Sequence, residues 1–240
     1  MAAAHVFVAS LDRPELDADD RHHLERVLRL RPGEEITVGD GAGGCRTCRF
    51  GPTLEPLDDV RREPRAEPVI TVGFALVKGG RPEWIVQKLT EVGVDKVVPF
   101  VAARSVVRWE GIRVERGVAR LRKVAREAAM QSRRLWLPEV EWVETFSAAG
   151  RGPGTAVADR DGDPPSLTAT TVLVGPEGGW APEERGAGLP VVALGPNVLR
   201  SETAALVAGV LWSAMRARLV AGGDVALVRD QVARRPGLGR

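Results

Sequence analysis

Two stretches of the chain place glycines and polar groups directly after short apolar runs. GPEGG at residues 175–179 follows the apolar run 172–174, and GPN at residues 195–197 follows the apolar run 191–194. Glycine lets a backbone approach a ligand closely, and the main-chain N–H groups of such bends can bind one. Because strands of an open α/β sheet enclose a crevice at their carboxyl ends, the two bends predict a ligand site between neighbouring strands.

The second bend leads into a polar segment that opens a long apolar helix. Arg200, Glu202 and Thr203 lie at the predicted helix start, and the residues from 204 to 215 are apolar on almost every side. Free N–H groups and the positive end of the helix dipole gather at such a start. A helix with apolar residues all around it is expected to be buried.

Several common catalytic patterns are absent from the sequence. There is no GxxxxGK[ST] and no GxGxxG after a strand, so neither a P-loop nor a Rossmann site is expected. All three histidines lie within the first 23 residues, and the two cysteines, Cys45 and Cys48, form one CxxC without further ligands, so we expect two reduced thiols and no metal. Backbone amides, arginine and glutamate are left as working groups, which suits a bound small molecule and a reaction with little acid–base machinery.

Composition limits the class of protein. A chain of 240 residues with 44% hydrophobic content is expected to form one large domain or two modest ones. No apolar run is long enough to cross a membrane and the N-terminus lacks the basic region of a secretory signal, so we expect a cytoplasmic protein without membrane contact. The net charge is only +2, but 30 of the 34 cationic residues are arginines. Arginine suits phosphate and base contacts, although a GC-rich genome explains the same bias.

The elements that must position the crevice fall into two predicted domains, residues 1–66 and residues 67–240. The polar, proline-containing segment 61–68 marks the boundary. We predict strands in the first domain at 5–8, 35–38 and 45–50, with an amphipathic helix at 20–30. In the second we predict strands at 69–77, 97–100, 140–143, 155–158, 172–174 and 191–194, with helices at 83–92 and 114–132. The βαβ order indicates a parallel sheet, and the tail from residue 229 is expected to be disordered.

Two basic surfaces leave their interpretation open. The short helix of the first domain is basic on one side, which fits RNA binding and fits a solvated face equally well. The long helix carries Arg113, Arg116, Arg120 and Lys123 at steps of three and four residues. Such a stripe can contact phosphates, and a solvated face is at least as compatible with it.

The motifs together resemble one family. GPEGG (175–179) and LGPNVLRSETA (194–204) resemble the knotted SPOUT methyltransferases and, more narrowly, the bacterial ribosomal RNA small subunit methyltransferase E family. The segments HHLERVLRLRPGE (22–34), KGGRPEWIVQKLTEVGV (78–94) and RLRKVAREAAMQSRR (120–134) are similar to further motifs of that family. The chain departs from the family at Leu121, Met130 and Arg133, where Trp, Glu and Gly are usual, and at Ala103, where Glu is common. None of these departures lies in the two glycine bends.

The resemblance implies a fold, an activity and partners. The fold would be α/β, with a SPOUT-type parallel sheet and a C-terminal trefoil knot, preceded by a small PUA-like β-barrel that binds RNA. The activity would be methylation of N3 of a specific uridine in 16S ribosomal RNA of the small subunit, with S-adenosyl-L-methionine as the cofactor. The resemblance also implies a homodimer with shared active sites.

The resemblance, combined with the crevice, assigns residues to three groups. We predict cofactor contacts from Leu173, Gly175, Pro176, Glu177, Gly178, Gly179, Leu194, Gly195, Val198, Leu199 and Thr203. We predict RNA contacts from Arg29, Lys78, Arg81, Arg104, Lys123, Arg133 and Arg134. As a hypothesis for catalysis, Glu202 accepts the proton of uracil N3 while Arg200 stabilises the developing anion. Glu177 is a rival base, and dipole complementarity alone also explains a glutamate at position 202.

Three other functions stay open at the level of sequence. The first is an RNA-binding or ribosome-assembly module without catalysis, which would bind RNA but not the cofactor. The second is a SPOUT enzyme that acts on another RNA, such as a transfer RNA ribose methylase, against which the RSETA segment argues. The third is a small-molecule α/β enzyme, which leaves the N-terminal β domain and its basic helix unexplained.

Overall fold

A computed structural model describes residues 2–220 of the chain. Their contacts form two compact units. The first unit contains residues 2–66 and 123–138, and the second contains residues 67–122 and 139–220. The tail beyond residue 229, which the sequence predicts to be disordered, lies outside the described residues.

The first unit is organised around a five-stranded mixed sheet. Its strands are β1 (Ala4–Phe7), β2 (Glu35–Gly39), β3 (Gly44–Arg49), β4 (Glu55–Pro56) and β5 (Arg61–Arg62). β1 pairs in parallel with β2, β2 pairs antiparallel with β3, and β3 pairs antiparallel with both β4 and β5. These pairs give an open order rather than a closed ring. Ile36, Val38 and Cys48 are fully buried in its core because alternate residues of a strand face the same side.

The short helix of this unit differs from its prediction. The segment predicted as one α-helix over 20–30 is α1 (Ala18–His22) followed by a π-helical turn, His23–Val27. Leu24 is fully buried, but Val27 is 61% exposed and Leu28 is 47% exposed, so the apolar side expected for the helix is wrong at these two positions. The wider π turn, closed by the N–H of Leu28 on the carbonyl of His23, changes the angular spacing on which the prediction depended.

The second unit contains a seven-stranded sheet in which every pair of strands is parallel. The strands are β6 (Thr71–Ala75), β7 (Lys96–Val101), β8 (Glu139–Val140), β9 (Glu144–Thr145), β10 (Thr155–Asp163), β11 (Thr171–Val174) and β12 (Val191–Val192). Their order is β12-β10-β11-β6-β7-β8, and β9 also pairs with β7. The predicted parallel sheet is confirmed. The strand predicted at 140–143 is instead two short segments, β8 and β9.

One expectation about this sheet is wrong in a way that matters for the site. The strands before the two glycine bends, β11 and β12, are not neighbours, because β10 lies between them and pairs in parallel with both. β11 is mostly buried, whereas β12 is a two-residue edge strand whose Val191 is 36% exposed. The end of β10 therefore contributes to the region between the two bends.

Five helices connect or cover the strands of this sheet: α2 (Arg81–Glu91), α3 (Ile112–Gln131), α4 (Phe146–Ala149), α5 (Pro182–Arg185) and α6 (Ser201–Arg216). α6 packs against α2, β6 and β11. The contact with α2 is close at Gly209, where a Cβ would lie 2.6 Å from Cδ2 of Leu89. Trp212 is fully buried, but Val210 is 44% exposed, so the prediction that α6 is buried on almost every side is wrong on one face.

A buried ion pair fixes the carboxyl end of α6. Arg216 donates to Oδ2 of Asp95 and, over 2.7 Å, to the carbonyl of Gly93. The Asp95 carboxylate also accepts the N–H of Ile70 over 2.8 Å. The side chains of Arg216 and Asp95 are only 11% and 5% exposed. Because each charged group has hydrogen-bonded partners, the free-energy cost of burying the two charges is offset.

The second half of α3 and the segment after it belong to the first unit, which differs from the expectation that residues 67–240 form one domain. Backbone hydrogen bonds join Gly43 to Leu135 over 3.1 Å and Leu137 to Gly41 over 2.9 Å. Arg126 of α3 bonds to the carboxylate of Asp20, which is 6% exposed. The domain boundary therefore cuts through a continuous helix, which no change of composition in the sequence marks.

Candidate active site

A cavity of about 350 Å³ opens at the carboxyl ends of β10, β11 and β12. It is lined by three segments: one within β10, from the point where its pairing with β11 ends, and two at the ends of β11 and β12. The lining residues are Ala158, Asp159 and Arg160; Val174, Gly175, Pro176, Glu177, Gly179, Trp180 and Arg185; and Leu194, Gly195, Asn197, Val198, Leu199, Ser201 and Ala204. The volume is within the range of small-molecule sites, and the position is the one where open parallel sheets bind ligands.

The first glycine of the first bend is required by the packing of a tryptophan. A Cβ at Gly175 would lie 3.0 Å from the indole ring of Trp180. That ring is held by the hydrogen bond from its Nε1 to the carbonyl of Ala158, over 2.9 Å, and stacks on Phe100 with centroids 6.2 Å apart. A side chain at position 175 would therefore displace a buried ring that itself lines the cavity.

Two further glycines make the bends possible. Gly179 has a φ of +68° and Gly195 has a φ of +148°, conformations that residues with a side chain rarely adopt. The first bend is closed by the N–H of Gly179 on the carbonyl of Pro176, over 2.9 Å. The start of α6 is tied to this bend, because the hydroxyl of Ser201 donates to the carbonyl of Gly175 over 2.9 Å. The two bends and the helix start thus form one connected wall.

Arg81 joins the two candidate bases. Its Nη1 donates to Oε1 of Glu177 over 2.9 Å, and its Nε lies 3.6 Å from Oε1 of Glu202. The Glu202 side chain is 15% exposed, and its other oxygen, Oε2, is buried without a hydrogen-bond partner among residues 2–220. One oxygen of Glu202 is thus oriented by a cation, and the second is available to accept a proton or a hydrogen bond.

The predicted cofactor residues divide into two groups. Eight line the cavity: Gly175, Pro176, Glu177, Gly179, Leu194, Gly195, Val198 and Leu199. The other three are not among its lining residues. Leu173 is buried in the core cluster of β11, Gly178 accepts a hydrogen bond from Arg104 through its carbonyl, and Thr203 lies in the first turn of α6. Cofactor contact by all eleven residues stays a prediction.

Sequence reasoning missed the contribution of β10. Ala158, Asp159 and Arg160 line the cavity, and Asp159 forms an ion pair with Arg185, which also lines it. The signal that could have found them is the position of an acidic residue directly after the apolar run at 155–158. The expectation that β11 and β12 are neighbours hid this signal.

The predicted catalytic residues lie at the start of α6. Arg200 is the N-cap residue of this helix and is exposed, and Glu202 is in its first turn. Neither is a lining residue of the cavity, although Ser201 between them is. Because they lie next to the cavity wall, they can act at the side of a bound ligand and not from the floor of the cavity.

The predicted RNA contacts are divided between the two units. Arg29, Lys123, Arg133 and Arg134 belong to the first unit, and Lys78, Arg81 and Arg104 belong to the second. Lys78 and Lys123 are exposed. Arg104 donates to the carbonyl of Gly178 over 3.1 Å, and Arg81 is engaged with two carboxylates. The structure thus gives Arg81 a different contact from the phosphate expected for it.

Within residues 2–220, no group of three or more histidine, cysteine, aspartate or glutamate side chains is arranged to hold a metal ion. No helix in the same range is both long enough and apolar enough to span a bilayer. Cys45 and Cys48 are free and buried, and burial raises the pKa of Cys48 to about 11.

Comparison with known proteins identifies the class. Residues 64–213 match the family described as "RNA methyltransferase domain", and residues 16–51 match "RNA methyltransferase PUA domain". A ribosomal RNA small subunit methyltransferase E from Mycobacterium bovis is 39% identical over 229 residues, covering 82% of this chain and 86% of its own. The protein of the same name from Bacillus subtilis is 29% identical over 224 residues, covering 80% and 86%.

A solved structure agrees with these matches. The ribosomal RNA small subunit methyltransferase E from Neisseria gonorrhoeae, bound to S-adenosyl methionine, has a TM-score of 0.72 and 27% identity, and the match covers 88% of this chain and 97% of that one. The fold is therefore a SPOUT-type α/β methyltransferase fold with a PUA-like domain. The chain belongs to the ribosomal RNA small subunit methyltransferase E family.

Proposed function

We propose that the protein methylates N3 of a specific uridine in 16S ribosomal RNA of the small subunit, with S-adenosyl-L-methionine as its cofactor. The observation that carries the proposal is the cavity enclosed by the two glycine bends and by residues of β10, with Glu202 beside it. The names of the relatives support the class of substrate, and the ligand of the Neisseria protein supports the cofactor.

The residues of the cavity fit this cofactor. The glycine bends leave room for a ligand against the backbone, and Asp159 and Glu177 bring carboxylates that can accept hydrogen bonds from hydroxyl or ammonium groups. A sulfonium cation is also favoured by nearby carboxylates. When bound, S-adenosyl-L-methionine supplies an electrophilic methyl group. Contacts from Leu173, Gly178 and Thr203, which do not line the cavity, are the part of the predicted set with the least structural support.

The chemistry left to the protein is the removal of one proton. Uracil N3 carries a weakly acidic hydrogen, which must leave before or during the formation of the new N–C bond. Glu202 accepts it through the unpartnered Oε2, while Arg81 holds Oε1 and so fixes the carboxylate. Arg200, exposed at the N-cap of α6, stabilises the negative charge that develops on the uracil oxygens. Glu177, whose side chain is 44% exposed, is the rival base.

RNA is held by the remaining cations of the predicted set, of which all but the half-buried Arg134 are exposed: Arg29, Lys78, Arg104, Lys123, Arg133 and Arg134. Each phosphate contact that is lost flattens the salt dependence of RNA binding by about one unit of slope. Arg81 is left out of this group, since its guanidinium is engaged by Glu177 and Glu202. We assign it instead to the orientation of these two carboxylates.

The proposal includes a trefoil knot, a homodimer and a cytoplasmic location. A knot is supported by the path of the chain, which leaves the sheet centre at β11, reaches the edge at β12 and returns as α6 onto β6 and β11. The half-exposed apolar face of α6 around Val210 supports burial by a second copy. A cytoplasmic location follows from the proposed ribosomal substrate.

Methyl transfer by three variants tests the proposal. With small ribosomal subunits that lack the modification and labelled S-adenosyl-L-methionine, Glu202→Gln and Arg200→Ala should each lower turnover by about 100-fold, the usual scale for an acid–base group. The exposed Glu183 of α5 provides a matched control, because Glu183→Gln removes the same charge outside the cavity. Mass spectrometry of nucleosides should show 3-methyluridine. Near wild-type turnover in both variants would end the catalytic assignment, and a different methylated nucleoside would overturn the substrate.

Calorimetry separates this proposal from an RNA-binding module without catalysis. The full chain is titrated with S-adenosyl-L-methionine in the absence of RNA. Saturable binding of one cofactor per cavity is expected. RNA binding without cofactor binding would favour the alternative module.

A further inference from the structure

A second cavity, of about 390 Å³, lies wholly within the first unit. It is lined by one thiol, one leucine and six residues that can exchange hydrogen bonds or charge. These six are His5, Thr37, Arg61, Glu63, Arg133 and Arg134. The lining contains three arginines and one glutamate, so its net positive charge favours an anion.

His5 is the buried polar group of this cavity. It lies on β1 and is 5% exposed, and its Nε2 has no hydrogen-bond partner among the described residues. A Cβ at Gly39 would approach its Cε1 to 3.1 Å, so a glycine keeps space beside the imidazole. Since a buried polar atom without a partner destabilises a protein, an unpartnered nitrogen on the wall of a cavity points to a ligand.

The protonation of His5 decides which kind of group can meet this nitrogen. Burial, with a smaller contribution from the charge of Arg133, lowers the pKa of His5 to about 4, against a backbone hydrogen bond at Arg134 that raises it. The imidazole is therefore neutral at pH 7. A backbone contact that raises the pKa is a carbonyl accepting the ring N–H, which assigns the proton to Nδ1 and leaves Nε2 as an acceptor. The ligand must present an N–H or O–H donor there.

Arg133 is held at the cavity in an unusual conformation. Its φ is +57°, the left-handed region that residues other than glycine rarely adopt. Its Nη2 donates to the carbonyl of Ala2 over 2.7 Å. This conformation belongs to the turn that ends α3, in which the N–H groups of Arg133 and Arg134 bond to the carbonyls of Met130 and Ala129. The turn brings both arginines to the wall of the cavity.

We propose that this cavity binds one unstacked nucleotide of the RNA, with its phosphate on Arg61, Arg133 and Arg134 and a donor of its base or ribose on His5 Nε2. The inference rests on the proposed function, because single-stranded RNA provides nucleotides whose bases can be turned out of the stack. A nucleotide offers both the anion and the donor that the cavity requires. Inorganic phosphate can meet the arginines as well, but it has no base or ribose to place beside His5.

Nitrogen NMR of the intact chain tests this assignment directly. The chain has only three histidines, and His22 and His23 are exposed, so selective ¹⁵N-histidine labelling resolves His5. Titration with each of the four nucleoside 5′-monophosphates should shift the Nε2 signal of His5 and saturate for at least one of them. Inorganic phosphate should shift it less. Unchanged His5 signals with all four nucleotides, or equal shifts with inorganic phosphate, would overturn the proposal.

Arginine variants provide the second measurement, and β5 supplies a matched control. Arg61 and Arg62 are adjacent exposed residues of β5, and each lies near one carboxylate, Asp58 at 3.5 Å and Asp40 at 3.2 Å respectively. Only Arg61 of the two lines the cavity. Arg61→Gln and Arg133→Gln should each weaken binding of the responsive nucleotide by about tenfold, as expected for one charge-assisted hydrogen bond. Arg62→Gln should leave it within about twofold. Equal weakening by Arg61→Gln and Arg62→Gln would show a general charge effect and reject the cavity.

Failure of this inference can be told apart from failure of the proposed function. Cofactor binding and methyl transfer are measured on the same variants. Methyl transfer by a protein whose His5 does not respond to nucleotides would reject the cavity alone. Absence of cofactor binding in the wild type would reject the proposed function, whatever the His5 signals show.

Discussion

The two cavities are built from different parts of the chain. The first is lined by three short runs of the chain, 158–160 within β10 and 174–180 and 194–204 around the glycine bends after β11 and β12. We call it the main-chain cavity because its two bends depend on glycines. The second is built from side chains that lie far apart in sequence, at residues 5, 37, 45, 61, 63 and 133–135. A main-chain wall depends on where glycine is present, and a side-chain wall depends on which charges are present. Substitutions should therefore harm the two cavities by different mechanisms.

The largest expected effect on ligand binding comes from filling the main-chain wall. Gly175→Val would place side-chain atoms against the ring of Trp180, where even a Cβ comes within 3.0 Å. We expect the affinity for S-adenosyl-L-methionine, measured by calorimetry, to fall by about 100-fold, because overpacking a rigid site is costly. The control is Gly152→Val, in an exposed loop where a Cβ would meet only the Thr155 hydroxyl, at 3.5 Å. An unchanged affinity in Gly175→Val would contradict the packing argument.

Each unit also has one buried arginine–aspartate pair, and the two pairs differ in exposure. The Arg216 side chain is 11% exposed in its pair with Asp95, whereas the Arg126 side chain is 31% exposed in its pair with Asp20. Removing the arginine leaves the aspartate charge buried without its partner. Arg216→Met should therefore lower the unfolding free energy by about 3–4 kcal/mol, and Arg126→Met should lower it by about 2 kcal/mol. Urea unfolding measures both, with the exposed Arg151→Met as the control. The opposite order would show that burial does not set the cost.

The next effect concerns the side-chain cavity and depends on pH. The folded chain holds the pKa of His5 at about 4, below its ordinary value of 6.5. Protons therefore bind the unfolded chain more readily, so the stability from neutral His5 is complete above pH 6.5 and is lost as the pH falls towards 4. Between pH 6.5 and 4 the loss is about 1.4 kcal/mol per pH unit. Unfolding at pH 7 and pH 5 should show a smaller decline in His5→Gln than in the wild type, and an equal decline would contradict the assignment.

The smallest expected effect separates orientation from phosphate contact. Arg81→Gln should lower turnover by about tenfold, because Glu202 loses the cation that orients it, while the salt dependence of RNA binding hardly changes. Lys123→Gln should flatten that salt dependence by about one unit of slope with little effect on turnover. Turnover and the salt dependence of RNA binding, measured on both variants, distinguish the two roles. A flattened slope in Arg81→Gln would return Arg81 to the RNA-binding group.

The main-chain cavity was largely predictable because its signals are local. Glycine–proline bends after apolar runs stand within a few residues of each other, and eight of the eleven predicted cofactor residues line the cavity. The contribution of β10 was missed because strand order is a property of the whole sheet. Nothing near residue 158 reveals that β10 lies between β11 and β12.

The side-chain cavity could not be predicted because its parts meet only after folding. His5, Arg61 and Arg133 are brought together by the strand pairing of the first unit and by the end of α3, which the sequence placed in another domain. One local clue existed at position 133, where arginine replaces a glycine usual in the resembling family. Its positive φ gives the physical reason, since a residue with a Cβ costs about 1–2 kcal/mol in the left-handed region, where glycine fits freely.

Hydrogen–deuterium exchange of the intact protein, with and without S-adenosyl-L-methionine, tests the central claim that the main-chain cavity binds the cofactor. The amides of residues 158–160, 174–180 and 194–204 are expected to gain protection when the cofactor is added, while those of residues 37–46 stay unchanged. Protection outside the three segments, or no protection at saturating cofactor, would contradict the account.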